Sequence, residues 1–379
     1  MPDLDDSVRQ VAVHVLRHGP APRGAVARAL GLSAGSLTRL GKPLLDAGVL
    51  VETTPVTDPA TRRPTRPLDV VLDPHRFVGV SVTGTGAWAV ATDLRAQVRR
   101  RAHRPLTGTA PAQVAAAVAG LVEELGGPPT GVGVALAGVA DGAGRVLQAD
   151  ALDWRPGVDL AALVAAHTGG PVVVDDDVAC LAATEHWFGL GREQPAFALL
   201  TLDTRVGYGL VVGDAVVRTA GPQLVGHLPI EPGGPRCPQG HRGCAGALVT
   251  VPALLAAAHV AYGRPVTWRD LLVDAVDRVD RARRVVDDAA AHLGRLVALV
   301  SGTTGVVQVV VDGEGADLAV VGYESLQAAV DEHRDPRSPA VEFTVRDPDP
   351  YAWARGAAGA AVVEFASGPR WLAGPEAAH

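Results

Sequence analysis

Lysine is almost missing from this chain. Of its 34 lysine and arginine side chains only Lys42 is a lysine, so every other fixed cation is a guanidinium. Cysteine is nearly as scarce: three thiols in 379 residues cannot make a disulfide framework, which excludes the small secreted scaffolds and agrees with a reducing compartment. No apolar run reaches the roughly 18 residues that cross a bilayer, so no membrane-spanning helix is expected. The opening MPDLDDSVRQ carries acids where a secretory leader would be basic and then apolar, and a cytoplasmic location is expected. A basic overall field is absent too. The net charge is −7, so any contact with nucleic acid has to come from a local patch. What is present is globular in composition, with 47% hydrophobic and 20% charged residues, and long enough for two or three domains of roughly 100–200 residues each.

The first 75 residues form one pattern. Val8, Val11, Ala12, Val15 and Leu16 recur at helical spacing, with Ser7 as a candidate N-cap and Gly19-Pro20 as the stop. A second helix is expected from about Pro22 to Leu30, ended by Gly31. Ser33 then caps a third, running from Ala34 to about Ala47, with Leu37, Leu40, Leu44 and Leu45 inward and a kink expected at Pro43. Helix, Gly-containing turn, helix is the helix-turn-helix plan, whose second member enters the major groove by its N-terminal half. Ser33, Ser36, Thr38, Arg39 and Lys42 are the side chains it would offer. Two short strands around a polar turn follow, and Arg62, Arg63 and Arg66 fall at the tip, where guanidinium groups reach phosphate or a minor groove. The whole reads as a winged helix-turn-helix over 1–75 that binds double-stranded operator DNA. The competing reading is a helical bundle used for dimerisation, with a solvated arginine run.

The densest chemistry lies in the loop 226–244, where two of the three cysteines and two histidines stand among glycines and prolines. Such a loop can fold back and converge its side chains. His227, Cys237 and Cys244 are three candidate zinc ligands and His241 a fourth, matching the four N and S donors zinc prefers. The alternative is a Gly/Pro-rich surface loop with unrelated thiols.

The order Gly226-His227, about ten residues, then Cys237-x-x-Gly240-x-x-Gly243-Cys244 is similar to the GHxxx…CxCGxxGC motif of the ROK family of repressors, open reading frames and sugar kinases. In that family the histidine and three cysteines hold a structural zinc, and the histidine also touches the sugar. Here the middle cysteine position is Gln239, a poor zinc ligand. The resemblance implies an α/β fold in which the winged helix-turn-helix precedes a two-lobed, actin-like ATPase body. Its N-terminal lobe would be 76–190, joined by a C-terminal helix 354–368, and its C-terminal lobe 191–353. The stretch Pro171–Gly189 resembles the family's strand-END-helix element, so Asp176 and Asp177 are candidate ligand-binding residues and Asp177 matches the kinase base. An acid cluster there could equally cap the following helix.

Other positions depart from the kinase pattern. Ser81 and Thr83 replace the aspartate and first glycine of DxGGT, and Asp203 and Arg205 replace glycines of the second phosphate loop. At the positions of the family's two sugar-binding glutamates stand Leu224 and Gly246. A carboxylate facing triphosphate is repulsive, and a sugar hydroxyl left unpaired in a dry site costs on the order of 1–3 kcal/mol. The expectation is therefore a transcriptional regulator of the repressor kind, not an enzyme. It would be a homodimer or homotetramer responsive to a sugar or another small metabolite. The alternatives are an ATP-dependent sugar kinase and a ligand-independent regulator that uses the body as a dimerisation scaffold.

Overall fold

The computed structural model describes residues 4–57, 62, 64–155, 157–218 and 225–374, so Arg63 and Leu224 lie outside the described residues. Its chain divides into two compact units, Met1–Phe188 with Trp353–His379, and Gly189–Ala352.

The first unit opens with α1 (Leu4–His18), α2 (Arg23–Ala29) and α3 (Ala34–Asp46), then four short strands: β1 (Leu50–Glu52), β2 (Val56–Thr57), β3 (Pro64–Thr65) and β4 (Leu68–Val70). Helix α1 begins three residues before Ser7, which is therefore not its cap; Asp5 and Asp6 in the first turn place negative charge where the helix dipole favours it. Ser33 does cap α3, its side chain accepting the Ser36 N–H at 3.0 Å, an arrangement typically worth about 1 kcal/mol. Pro43 lies inside α3, which runs on to Asp46 as expected. A proline that close to the C-terminus removes a single ladder bond, and its own carbonyl still accepts from Ala47 at 2.9 Å. The strands pair antiparallel, β1 with β4 through Leu50↔Val70 and β2 with β3 through Val56↔Thr65.

The rest of this unit is a five-stranded sheet in the order β12-β8-β5-β6-β7. Its strands are β5 (Phe77–Val82), β6 (Gly86–Thr92), β7 (Val98–Pro105), β8 (Gly131–Leu136) and β12 (Val172–Asp176). A small sheet of β9 (Val139–Ala140), β10 (Arg145–Gln148) and β11 (Val158–Asp159) is inserted. Helices α4 (Pro111–Glu124) and α5 (Leu160–Thr168) accompany α6 (Asp177–Phe188), and the chain returns later as α12 (Ala352–Ser367) and α13 (Pro369–Leu372). Directly paired Gly79 and Gly133 let α12 lie on the sheet. A Cβ on Gly133 would stand 1.8 Å from the Ala357 carbonyl oxygen, and one on Gly79 2.0 Å from that of Ala354, so only glycine fits either position.

In the second unit β13 (Ala196–Leu202), β14 (Val206–Val212), β15 (Ala215–Val216), β16 (Gln308–Asp312) and β17 (Glu342–Val345) form a sheet in the order β15-β14-β13-β16-β17. Both sheets share one plan: an antiparallel meander on one side of the founding strand and two parallel strands on the other. Three helices, α7 (Val251–Tyr262), α8 (Trp268–Val276) and α9 (Asp280–Thr304), precede β16, and α10 (Asp317–Val321) and α11 (Tyr323–His333) follow it. Gly263, at φ +68°, ends α7, and the Thr267 hydroxyl restarts the chain by capping α8. Among the described residues no helix is long and apolar enough to cross a membrane.

Candidate functional site

The loop 226–244 folds back on itself through backbone bonds. Ile230 and Glu231 both donate to the Gly243 carbonyl, Gly243 donates to Pro235 at 2.8 Å, and Cys237 donates to His241 at 2.9 Å. Gly243 adopts φ +63°, and a Cβ there would lie 1.8 Å from the Glu231 oxygen, so this turn requires glycine. Glu231 also anchors the loop to α9 by pairing with Arg295 and, at 3.4 Å, with His292.

The fold-back gathers four donor groups. Cys237 Sγ lies 3.9 Å from His227 Nδ1 and 3.7 Å from His241 Nδ1, and Cys244 Sγ lies 4.0 Å from His227 Nδ1. Ligands held tetrahedrally at about 2.0–2.3 Å from zinc stand roughly 3.3–3.8 Å apart, so the spacing is close to that of a metal site. His227, Cys237 and His241 are mutually within 4.8 Å, and Gln239, at the position where the family has its middle cysteine, is exposed. Burial, with His241 beside it, holds the His227 imidazole below its ordinary value and so in the neutral, ligating form. Burial opposes the Cys237 thiolate, but the N–H groups of Gln239 and His241, the Cys244 thiol and the Gly240 N–H outweigh it and lower the Cys237 thiol. Burial pushes the Cys244 thiol up.

The acids at the start of α6 are arranged differently. Asp176 Oδ1 accepts the N–H groups of Val178 and Ala179, each at 3.0 Å, and Asp177 Oδ1 accepts the Val178 N–H at 2.8 Å. Asp176 therefore acts as a helix cap. Asp176 and Asp177 belong to the first unit and His227 to the second.

The two hairpin turns at the phosphate-loop positions are also closed by their own side chains. Thr83 Oγ1 accepts the N–H groups of Thr85 at 3.3 Å and Gly86 at 3.2 Å, and Asp203 Oδ1 accepts that of Thr204 at 3.1 Å. Phosphate loops work by aiming several such N–H groups at the anion; here they point inward to side-chain oxygens.

On α3, Ser33, Thr38, Arg39 and Lys42 are exposed and Ser36 half-buried. Ser33 and Ser36 hydroxyls meet at 2.9 Å, Thr38 bonds back to the Ala34 carbonyl, and Lys42 pairs with Asp46 at 3.0 Å. Arg62, at φ +55°, and Arg66 are exposed around the hairpin. Arg39 and Lys42 thus share the exposed face of α3, with the two described hairpin arginines on a separate element.

A family model described as the ROK family matches residues 77–363. The chain belongs to the ROK family. It is 29% identical over 146 residues to the DNA-binding transcriptional repressor Mlc of Escherichia coli, covering 35% of this chain and 36% of Mlc. It is 27% identical over 349 residues to transcriptional regulator Mb0495 of Mycobacterium bovis, covering 86% and 78%. Sugar kinases are among the relatives as well. The chain spans about a third to two thirds of the length of the first of these relatives. A solved ROK family transcriptional regulator, a homologue of the E. coli protein, superimposes with a TM-score of 0.78 at 20% identity over 97% of both chains. The expected α/β class with mixed sheets and the ROK-type, actin-like body agree with this fold likeness.

Proposed function

We propose that this ROK protein is a DNA-binding transcriptional regulator, of the repressor kind, whose body no longer transfers phosphate. The observation that carries the reading is the three-helix, hairpin-closed segment preceding the family domain, with Arg39 and Lys42 exposed on a Ser33-capped third helix. In this reading the segment is a winged helix-turn-helix. Arg39 and Lys42, with Ser33, Ser36 and Thr38 around them, contact an operator groove, and Arg62, Arg63 and Arg66 contact phosphate or minor groove from the wing. Two copies in a homodimer, or pairs within a tetramer, then read an inverted repeat. The similarity to regulators named as such supports this role.

The donor set of the 226–244 loop fits zinc. His227, Cys237, Cys244 and His241 would hold it, and the ion would supply a structural crosslink that fixes the loop. His241 then takes over from the thiol that Gln239 cannot provide. Two thiolates offset the charge of one Zn²⁺, leaving a neutral site. Asp176 and Asp177 in the first unit and, taken separately, His227 in the second are candidate contacts for a sugar or similar effector. The closed turns at Thr83 and Asp203 favour effector sensing over ATP-dependent sugar phosphorylation.

Genomic fragments captured by the full-length protein at two salt concentrations test the function. An enriched inverted repeat whose binding weakens with salt is expected. Sequence-blind capture together with ATP-dependent phosphorylation of a hexose would overturn it.

A further inference from the structure

The helical segment does not hang from a linker. Its buried core includes Phe77 and Leu94 of the sheet region, Ala361, Val362 and Ala366 of α12, and Trp371 of α13, together with Val11, Val15, Leu37 and Leu44. Trp371 is 1% exposed. At the far end of α13, a Cβ on Gly374 would stand 2.1 Å from the carbonyl of Ala47, the C-cap of α3.

Polar contacts converge on one turn. Arg95, between β6 and β7, donates to the carbonyls of Leu16 at 3.0 Å and Val15 at 3.2 Å, and its guanidinium pairs with Asp69 of β4. It thereby meets the last turn of α1, where helix carbonyls favour a cation, and the returning strand of the hairpin. Arg17, in the same turn, donates to the His186 carbonyl at 3.2 Å, has its Nη2 3.3 Å from His186 Nε2, and lies over the Trp187 ring at 5.8 Å. His186 sits on α6, which is itself fixed to α12: Glu185 pairs with Arg355 at 3.0 Å, and Thr184 donates to the Gly356 carbonyl at 3.0 Å. Gly19 gives these groups room, since a Cβ there would meet Val15 O at 2.5 Å, Asp69 Oδ1 at 2.9 Å and Arg95 Nη2 at 3.0 Å.

We infer that Arg17 and Arg95 are positioning residues for operator recognition: they fix the angle of α3 on the lobe, so that the lobe and not a flexible joint sets which half-site spacing the protein accepts. The inference rests on the DNA-binding reading above. Neither residue needs to touch DNA. Each acts through α1, which packs on α3.

The experiment uses full-length protein and the inverted repeat it selects from random DNA. The repeat, the same half-sites separated by two extra base pairs, and a single half-site are titrated in parallel. Two base pairs turn one half-site by about 70° relative to the other, given about 10.5 base pairs per turn. Wild type is expected to bind the lengthened repeat at least about 30-fold more weakly. Arg17→Ala and Arg95→Ala are expected to keep half-site affinity within about 3-fold while that spacing penalty falls below about 5-fold, with Arg17→Lys intermediate. Variants that discriminate spacing as steeply as wild type, or that lose affinity equally at every spacing, would overturn the inference. Hydrogen exchange on wild type provides a check that needs no variant. Amides of α1 and α3 should be protected to the same level as those of β5 and β6, and a separately opening α1–α3 segment would contradict the inference. Selection that enriches no repeat removes the DNA-binding reading itself, and the inference with it.

Discussion

The 226–244 loop and the two hairpin turns at Thr83 and Asp203 all carry groups that bind ions, yet they have folded to opposite ends. In the loop, the Cys237 thiol lies 3.7–3.9 Å from two imidazoles and the Cys244 thiol 4.0 Å from one of them, donors that a cation would draw together. In the turns, a hydroxyl and a carboxylate have taken the backbone N–H groups that an anion would need. A polar group with an internal partner gains little from a ligand, whereas converging donors gain a great deal from a metal. The contrast separates a region still organised around a missing partner from regions that have become self-sufficient.

Removing a thiol should break the contrast most severely. Cys237→Ser is expected to lower bound zinc from about one equivalent to less than about a tenth and to loosen the loop, as measured by metal analysis and thermal unfolding; full zinc content in that variant would refute the ligand set. A finer test separates His241 from Gln239. His241→Ala should weaken zinc binding about 10-fold or more, and adding Gln239→Cys should restore it. In the cobalt form, that rescue should also raise the thiolate-to-metal absorption by about half, because three thiolates replace two.

On the other side of the contrast, nucleotide should leave no trace on the wild type. Replacing Thr83, Asp203 and Arg205 with glycine together is expected to yield at most weak, millimolar ATP binding by calorimetry. Tight binding by the wild type would mean that the turns open.

The smallest effect concerns His75, whose ring lies 5.1 Å from Phe365 and which burial holds below its ordinary value. The unfolded chain takes up a proton near pH 6.5 and the folded chain resists it. The stability contributed by neutral His75 is therefore complete above that pH and lost as the pH falls through and below it. His75→Phe should flatten the fall of Tm between pH 7.5 and 5.5 by about 1–3 °C.

Much of this was legible in the sequence because local chemistry decided it. Ser33 before an apolar 3-4 repeat predicts a capped helix, and α3 starts there. Clustered Cys and His predict converging donors. Misreadings came where a neighbour decides. Ser7 is as good a cap residue as Ser33, but the chain had already entered its helix at Leu4. The roles of Thr83, Arg17 and Arg95 had no signal, since their partners are a turn's own N–H groups and carbonyls about 80 and 170 residues away in sequence. Asp176 carried two readings from the start, and the structure shows it capping α6.

The most direct test of the account is the affinity of an Arg39→Ala, Lys42→Ala double variant for the selected repeat beside its affinity for an unrelated duplex. With each base contact worth about 1–3 kcal/mol, specific binding should fall about 100-fold or more while zinc content and fold are unchanged. Specific affinity that survives the double substitution would contradict the assignment of α3 as the element that reads DNA.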